Sequence, residues 1–151
     1  MLNSGRWGFL KNRSGISKKV AIKIPSDIKY IRKVSGRILD ALGPYKMGES
    51  ELFDIRLCVE EAVRNAIDHG NNSDRHLPVK IAYRISEDRL DIEVEDAGRG
   101  FDHTKLPDPT DEDNIMRNSG RGVFLIMKLM DQVAFNDSGN KISMTKYLRS
   151  S

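Results

Sequence analysis

Cysteine is almost missing from the 151 residues: Cys58 stands alone. A single thiol excludes a disulfide framework within the chain and suits a reducing compartment. Long apolar runs are missing as well, since no stretch approaches the roughly 20 residues that span a bilayer. The basic N-terminus is not followed by the apolar core and small-residue cleavage site of a secretory signal. A cytoplasmic protein without a membrane segment is therefore expected. Aromatic residues make up only 7% of the chain and do not interleave with its basic residues. The stacking platform that binds single-stranded nucleic acid is thus not to be expected, and no direct nucleic-acid partner is expected either.

What is present is an ordinary soluble composition, 38% hydrophobic and 31% charged, in a length that suits one domain with its own core. The charge is unevenly spread. Residues 1–46 hold eleven Lys/Arg against Asp27 and Asp40, a balance of +9, so with a total of +3 the remainder sums to −6. Such a split makes two regions of surface that attract different partners, although solvated charge accounts for most blocks of this kind.

Residues 1–17 lack periodicity and read as an N-terminal arm, leaving 18–151 as the folded domain. Val20, Ile22 and Ile24 alternate as a strand does. Pro25-Ser26-Asp27 then opens a helix, with Ser26 or Asp27 as its cap, whose apolar stripe is Ile28, Ile31, Val34, Ile38 and Leu42. A second helix from about Ser50 buries Leu52, Ile55, Val59, Ala62, Val63, Ala66 and Ile67, and Gly70 is expected to end it in the left-handed conformation. Val79–Ile85 and Leu90–Glu95 form a hairpin with one buried face. A Gly-, Pro- and Asp-rich stretch over 97–121 is long enough to signal function or disorder. A third helix from about Gly122 to Asp131, with Met127 and Met130 in the core, precedes strands Val133–Asn136 and Ile142–Leu148. The order β-α-α-β-β-loop-α-β-β predicts an α/β (α+β) two-layer sandwich, a mixed sheet covered on one face by helices.

Three polar signals interrupt this pattern. Glu61 and Asn65 lie four apart, on one face of the second helix. Asn offers a hard neutral oxygen to Mg²⁺ and Glu can take a proton from a hydroxyl, although the same pair could simply face water. Asp96-Ala97-Gly98-Arg99-Gly100-Phe101 follows a strand end, where a carboxylate can accept from an exocyclic amine. The two glycines admit positive φ and close approach, as any turn would. Ser119-Gly120-Arg121-Gly122 opens the third helix, where free N–H groups and a permanent cation make a phosphate seat or merely a helix entry. Taken in order, the three could reach one ligand.

On these residues the chain resembles a family. Glu60-Glu61-Ala62-Val63-Arg64-Asn65-Ala66-Ile67-Asp68-His69-Gly70 is similar to the N box of the GHKL ATPases, the group of gyrase, the histidine kinases and the mismatch-repair ATPases. Asp96 to Phe101 resembles their first glycine box and Gly120-Arg121-Gly122 their second, with the likeness running from about Val20 to Leu148. The wording and size are most similar to bacterial anti-sigma factor serine/threonine kinases. The resemblance implies a Bergerat-type site for ATP and Mg²⁺. In it Asn65 holds the metal, Asp96 reads the adenine amine, and Gly98, Gly100, Gly120 and Gly122 let the backbone approach the nucleotide and hinge a lid. Glu61 is the implied general base that activates a serine or threonine. The implied partners are an anti-anti-sigma factor as substrate, a sigma factor, and a second copy of the chain through the first strand and helix.

Two positions depart from the pattern. Asn118 stands where relatives often carry Arg, with Arg117 and Arg121 nearby, and Gly139-Asn140-Lys141 replaces a Gly-Thr pair beside the adenine. A nucleotide-gated module that sequesters a regulator without phosphotransfer is the alternative. A detached histidine-kinase domain is disfavoured, since the first helix carries no histidine.

Overall fold

The computed structural model describes residues 18–98 and 118–148. The N-terminal arm with Trp7, and Arg99, Gly100, Phe101, His103 and Arg117, lie outside the described residues. Strand β1 (Val20–Pro25) leads through a 3₁₀ turn (Ile28–Tyr30) into helix α1 (Ile31–Ala41). Helix α2 (Glu49–Asn65) continues into a wider π turn (Ala66–Gly70). Strands β2 (Pro78–Ile85) and β3 (Arg89–Glu95) follow, then helix α3 (Asn118–Leu129) and strands β4 (Gln132–Phe135) and β5 (Lys141–Tyr147).

The strands lie in the order β1-β2-β3-β5-β4, and each of the four pairings is antiparallel. The expected mixed sheet is thus corrected to an antiparallel one, and chain reversal explains why. Two helices separate β1 from β2, so the chain returns reversed. The single helix α3 brings β4 back in the direction of β3, but β5 inserts between them and runs against both. The helical layer is as expected.

Registration makes one face of the sheet apolar from edge to edge. Ile22, Ile81, Val94, Ile142 and Phe135 form one row of direct partners, and Val20, Tyr83, Ile92, Met144 and Val133 form the next. A side-chain period of two keeps each row on a single face. Against it pack Ile31, Val34 and Ile38 of α1, Ile55, Val59, Ala62 and Val63 of α2, and Ile126 of α3, in one continuous core. Helix α2 contacts both other helices and lies between them. Its start is fixed by Glu51, whose carboxylate accepts from the Gly48 N–H at 3.2 Å, supporting the first turn as a capping box does. Asp27 caps the 3₁₀ turn, accepting from Lys29 N–H at 3.0 Å.

Several apolar residues escape the expected pattern. Ile28, placed in the first helical stripe, is 57% exposed because the chain there is a 3₁₀ turn with a different period. Met127 is 46% exposed on the outer side of α3, while Met130 is buried. The hairpin was expected to bury one side, yet its opposite face buries Arg84, Asp91 and Glu93 as well. Asp91 is sustained there by Thr145 Oγ1, which donates at 2.7 Å, and Arg89 Nε, which donates at 2.9 Å. A carboxylate can remain buried when its lone pairs are met in this way. Cys58 is fully buried, and burial pushes its thiol up to about 12, so it acts as a small apolar residue.

Truncations on α2 should separate its two faces. Ile55→Ala empties a fully buried site and is expected to cost about 2–5 kcal/mol in urea unfolding. Phe53→Ala, at a residue 61% exposed, should stay within about 0.5 kcal/mol of the parent. Equal losses would contradict the packing described.

Candidate functional site

Helix α2 changes geometry just after Asn65. In the π turn the Asn71 N–H reaches back to the Ala66 carbonyl at 2.9 Å, five residues instead of four. Such single-turn widenings often occur at functional positions. Here the turn places His69 and Gly70 on the wall of a cavity of about 220 Å³. Val94, Val123, Ile126, Phe135 and Ile142 supply its apolar surface, while Asn65, Asp96 and Asn140 bring polar groups to it.

Gly70 was expected in the left-handed conformation. That conformation falls instead on Asn72 (φ 51°) and Ser73 (φ 57°). Gly70 is required for another reason: a Cβ there would occupy the space of the Asp96 carboxylate. Gly98 interlocks with it in turn, since a Cβ at Gly98 would overlap the Gly70 carbonyl. Close approach, and not positive φ, is what these two glycines provide.

Asp96 is held on every side. Its Oδ1 accepts from the Gly98 N–H at 2.7 Å. Its own N–H donates to the Asn140 carbonyl at 2.9 Å, and its carbonyl accepts from Asn140 Nδ2 at 2.9 Å. The next residue, Ala97, donates its N–H to Asn71 Oδ1 at 2.9 Å. Burial raises the Asp96 pKa, against the lowering effect of the Gly98 hydrogen bond, and nearby Glu95 raises it further.

Glu61 and Asn65 do lie together, as their spacing requires. A Cβ added at Gly122 would stand 2.5 Å from Glu61 Oε2 and 3.2 Å from Asn65 Nδ2, so both side chains converge on that glycine. A second hollow of about 730 Å³ lies here, lined by Glu61, Arg64, Asn65, Asp68, His69, Arg121, Gly122 and Lys128 among others. Asn65 and His69 border both cavities. Arg121 reaches the polar hollow and is not at the apolar one.

The third helix starts earlier than expected. The chain is already helical at Asn118, four residues before Gly122. Gly122, expected at the start of that helix, lies within its described part. It is the smooth point where α3 meets the Glu61 carboxylate. Asn71, Asn140 and Ser26 were not picked out as site residues. Their bonds to the Asp96 turn and to one another span up to 45 residues of sequence, and no local spacing marks them.

Fold and site together define a class: an antiparallel sheet covered by helices, with an apolar slot beside a charged hollow that shares Asn65 and His69 with it. A family model, the histidine kinase-like ATPase domain, matches residues 24–146. The serine-protein kinase RsbW of Staphylococcus aureus strain JH9 is 29% identical over 138 residues, covering 86% of this chain and 87% of its own. The RsbW of the bovine strain RF122 / ET3-1 gives the same identity and coverage. Among solved structures, the RsbU and RsbW domains of Rv1364c from Mycobacterium tuberculosis match with a TM-score of 0.60 at 18% identity. That match covers 89% of this chain and 33% of the longer one, and it speaks to the fold alone. The chain belongs to the histidine kinase-like ATPase domain family, the GHKL ATPases. Among the described residues, no helix is long and apolar enough to cross a membrane.

The two glycine contacts should respond differently to a methyl group. Gly98→Ala meets rigid backbone and should destabilise by about 1–3 kcal/mol, as overpacking does. Gly122→Ala meets the end of a flexible carboxylate inside a helix, where Ala is favoured by about 1 kcal/mol. Its melting temperature should equal or exceed the parent's, with Glu61 displaced. A Gly122→Ala less stable than Gly98→Ala would contradict the geometry.

A pH test follows from Asp96. Its pKa is higher folded than unfolded, so its contribution to stability is full below the unfolded value and is lost as pH rises through the folded one. At neutral pH the ionised group therefore costs stability. Asp96→Asn, which keeps an acceptor for Gly98, should melt above the parent at pH 7, and the gap should close toward about pH 4. A parent that melts higher at pH 7 would contradict this sign.

Proposed function

We propose that the chain is an ATP- and Mg²⁺-dependent protein serine/threonine kinase of the anti-sigma type. In this proposal it phosphorylates an anti-anti-sigma-like protein and, in the alternative complex, sequesters a sigma factor. The observation that supports it is the convergence of Glu61 and Asn65 on Gly122, beside a slot lined by the Asp96 carboxylate.

The residues fit the implied groups. A largely apolar slot with a carboxylate acceptor at Asp96 suits adenine, whose ring is flat and whose amine donates. Glycine contacts that leave no room for a side chain fit a tightly built nucleotide wall. For the metal, one amide oxygen from Asn65 is a thin donor set, of the kind Mg²⁺ accepts when phosphates and water complete its octahedron. Bound there, Mg²⁺ would neutralise charge developing on the phosphate oxygens.

Asp96 would accept from the adenine amine, and its pinned backbone would fix the depth at which the base sits. Asn65, bordering both cavities, would meet the phosphates where the slot opens. Gly98, and Gly100 outside the described residues, would line the nucleotide path, while Gly120 and Arg121 would contact phosphate from the start of α3. The substrate hydroxyl would approach through the polar hollow. As its oxygen bonds to the γ-phosphorus and the bond to the ADP oxygen breaks, Glu61 would take the hydroxyl proton.

Sequestration without chemistry is the second reading, favoured by Asn118 at a position where relatives often carry Arg. One experiment separates the two. Labelled γ-phosphate should pass to a serine or threonine of the partner with the parent chain. With Glu61→Ala, transfer should drop by about 10²–10⁴-fold, the usual worth of a general base, while nucleotide affinity stays within about threefold. Stoichiometric, nucleotide-dependent complex with no labelled partner would favour sequestration. Full transfer by Glu61→Ala would remove that residue from the mechanism.

A further inference from the structure

We propose that Asn71 is a positioning residue for adenine recognition, setting the Asp96 turn from beneath through the Ala97 N–H. The inference rests on the reading of Asp96 as the adenine acceptor and adds a residue that acts through it.

Asn71 is 1% exposed, and the amide is used in both directions. Nδ2 donates to Ser26 Oγ at 2.9 Å and to the Pro78 carbonyl at 3.0 Å, with the Leu77 carbonyl at 3.5 Å. Oδ1 accepts from the Ala97 N–H at 2.9 Å. Because an N–H can meet only an acceptor, the Ala97 contact fixes which end of the amide is oxygen. Ser26 Oγ passes its own proton to the Leu77 carbonyl at 2.7 Å. One side chain thereby joins the end of β1, the start of β2 and the residue after Asp96.

The other side of Asp96 is held by Asn140. Asn140 holds the Asp96 N–H and C=O, and Asn71 holds the N–H of the same Asp96–Ala97 peptide whose C=O Asn140 bonds. Gripped from opposite sides at its C=O and its N–H, the Asp96–Ala97 peptide leaves the carboxylate little freedom of depth or rotation. Asn71 also ends the π turn that carries Gly70, the residue whose missing Cβ admits that carboxylate. The chain that shapes the slot wall and the chain that bears its acceptor are therefore set by the same residue.

A purely structural role would lower stability and weaken all nucleotides alike, whereas a positioning role shows in selectivity. The test compares Mg²⁺-ATP with Mg²⁺-inosine triphosphate, which replaces the donating amine by a carbonyl, using calorimetric Kd values. In the parent, ATP should be preferred. Asp96→Ala should abolish that preference; if it does not, the reading of Asp96 fails, whatever Asn71 does. With Asp96 upheld, Asn71→Ala should reduce the ATP preference by about fivefold to tenfold, the worth of one good hydrogen bond, with inosine triphosphate affinity changed less than twofold. Asn71→Asp keeps the acceptor for Ala97 and loses the donors, so it should melt lower yet retain the preference. An Asn71→Ala protein that binds both nucleotides equally weakened, or keeps the parent preference, overturns the proposal. Should that variant not fold, Asn71→Asp and Ser26→Ala decide at reduced temperature: both must retain the preference, and its loss in either overturns the proposal.

Discussion

The candidate site depends on one steric interlock. Gly70, at the end of a helix, and Gly98, after a strand, approach until neither could carry a methyl group, and the Asp96 carboxylate lies in the space between. This contact brings a helix terminus against a sheet terminus closely enough for one half-buried acid to face an apolar slot. Ordinary side chains at those two positions would hold α2 and β3 apart, and the slot would widen into a surface groove. Hydrogen bonds then fix what the glycines permit. Asn140 and Asn71 grip the Asp96–Ala97 peptide from opposite sides, so orientation comes from polar groups and proximity from bare glycines.

The interlock has a cost, visible in Asp96. Burial raises its pKa, so at neutral pH the folded protein carries an ionised group that its surroundings disfavour. An amide would be easier to bury. A carboxylate has a second acceptor and a full charge to offer a donating ligand, and the protein forgoes some stability to retain it. Gly122 has the same character. In the interior of α3 it is a poor helix former, worth about 1 kcal/mol less than alanine, but only a bare Cα leaves room for Glu61. At both places local preference yields to the site, and such conflicts are expected where function resides.

Which features were legible in the chain depended on the range of the physics involved. Helices α1 and α2, the β2–β3 hairpin and the final two strands follow from periodicity, because alternate burial is written into successive residues such as Val79, Ile81 and Tyr83. The pairing of Glu61 with Asn65 was equally local, a matter of four residues on one helix. The sheet's uniform antiparallel character was not local. It follows from β5 inserting between β3 and β4, a choice made across the whole molecule. The purpose of Gly70 was likewise hidden, since a glycine that ends a helix by left-handed conformation and one that admits a distant carboxylate look identical in sequence. Asn71 was hidden most completely. It sits among polar turn residues, and its partners Ser26 and Ala97 lie 45 and 26 residues away.

The division of the site into two cavities also limits how it can work. The apolar slot and the polar hollow share Asn65 and His69, both carried by one stretch of α2 and its π turn. The widening begins directly after Asn65. A regular α-helix through Gly70 would rotate each residue after Asn65 relative to the observed turn, moving His69 away from the junction and Gly70 away from Asp96. The extra residue in that turn therefore sets two relations together: the phase of the helix against the polar hollow, and the contact that closes the slot. Movement of α3 alters the hollow through Gly122 and the slot wall through Val123 and Ile126, while Asp96 stays clamped by Asn71 and Asn140. A ligand spanning both cavities would thus keep one fixed polar contact at Asp96 while the walls on the α3 side shift around it.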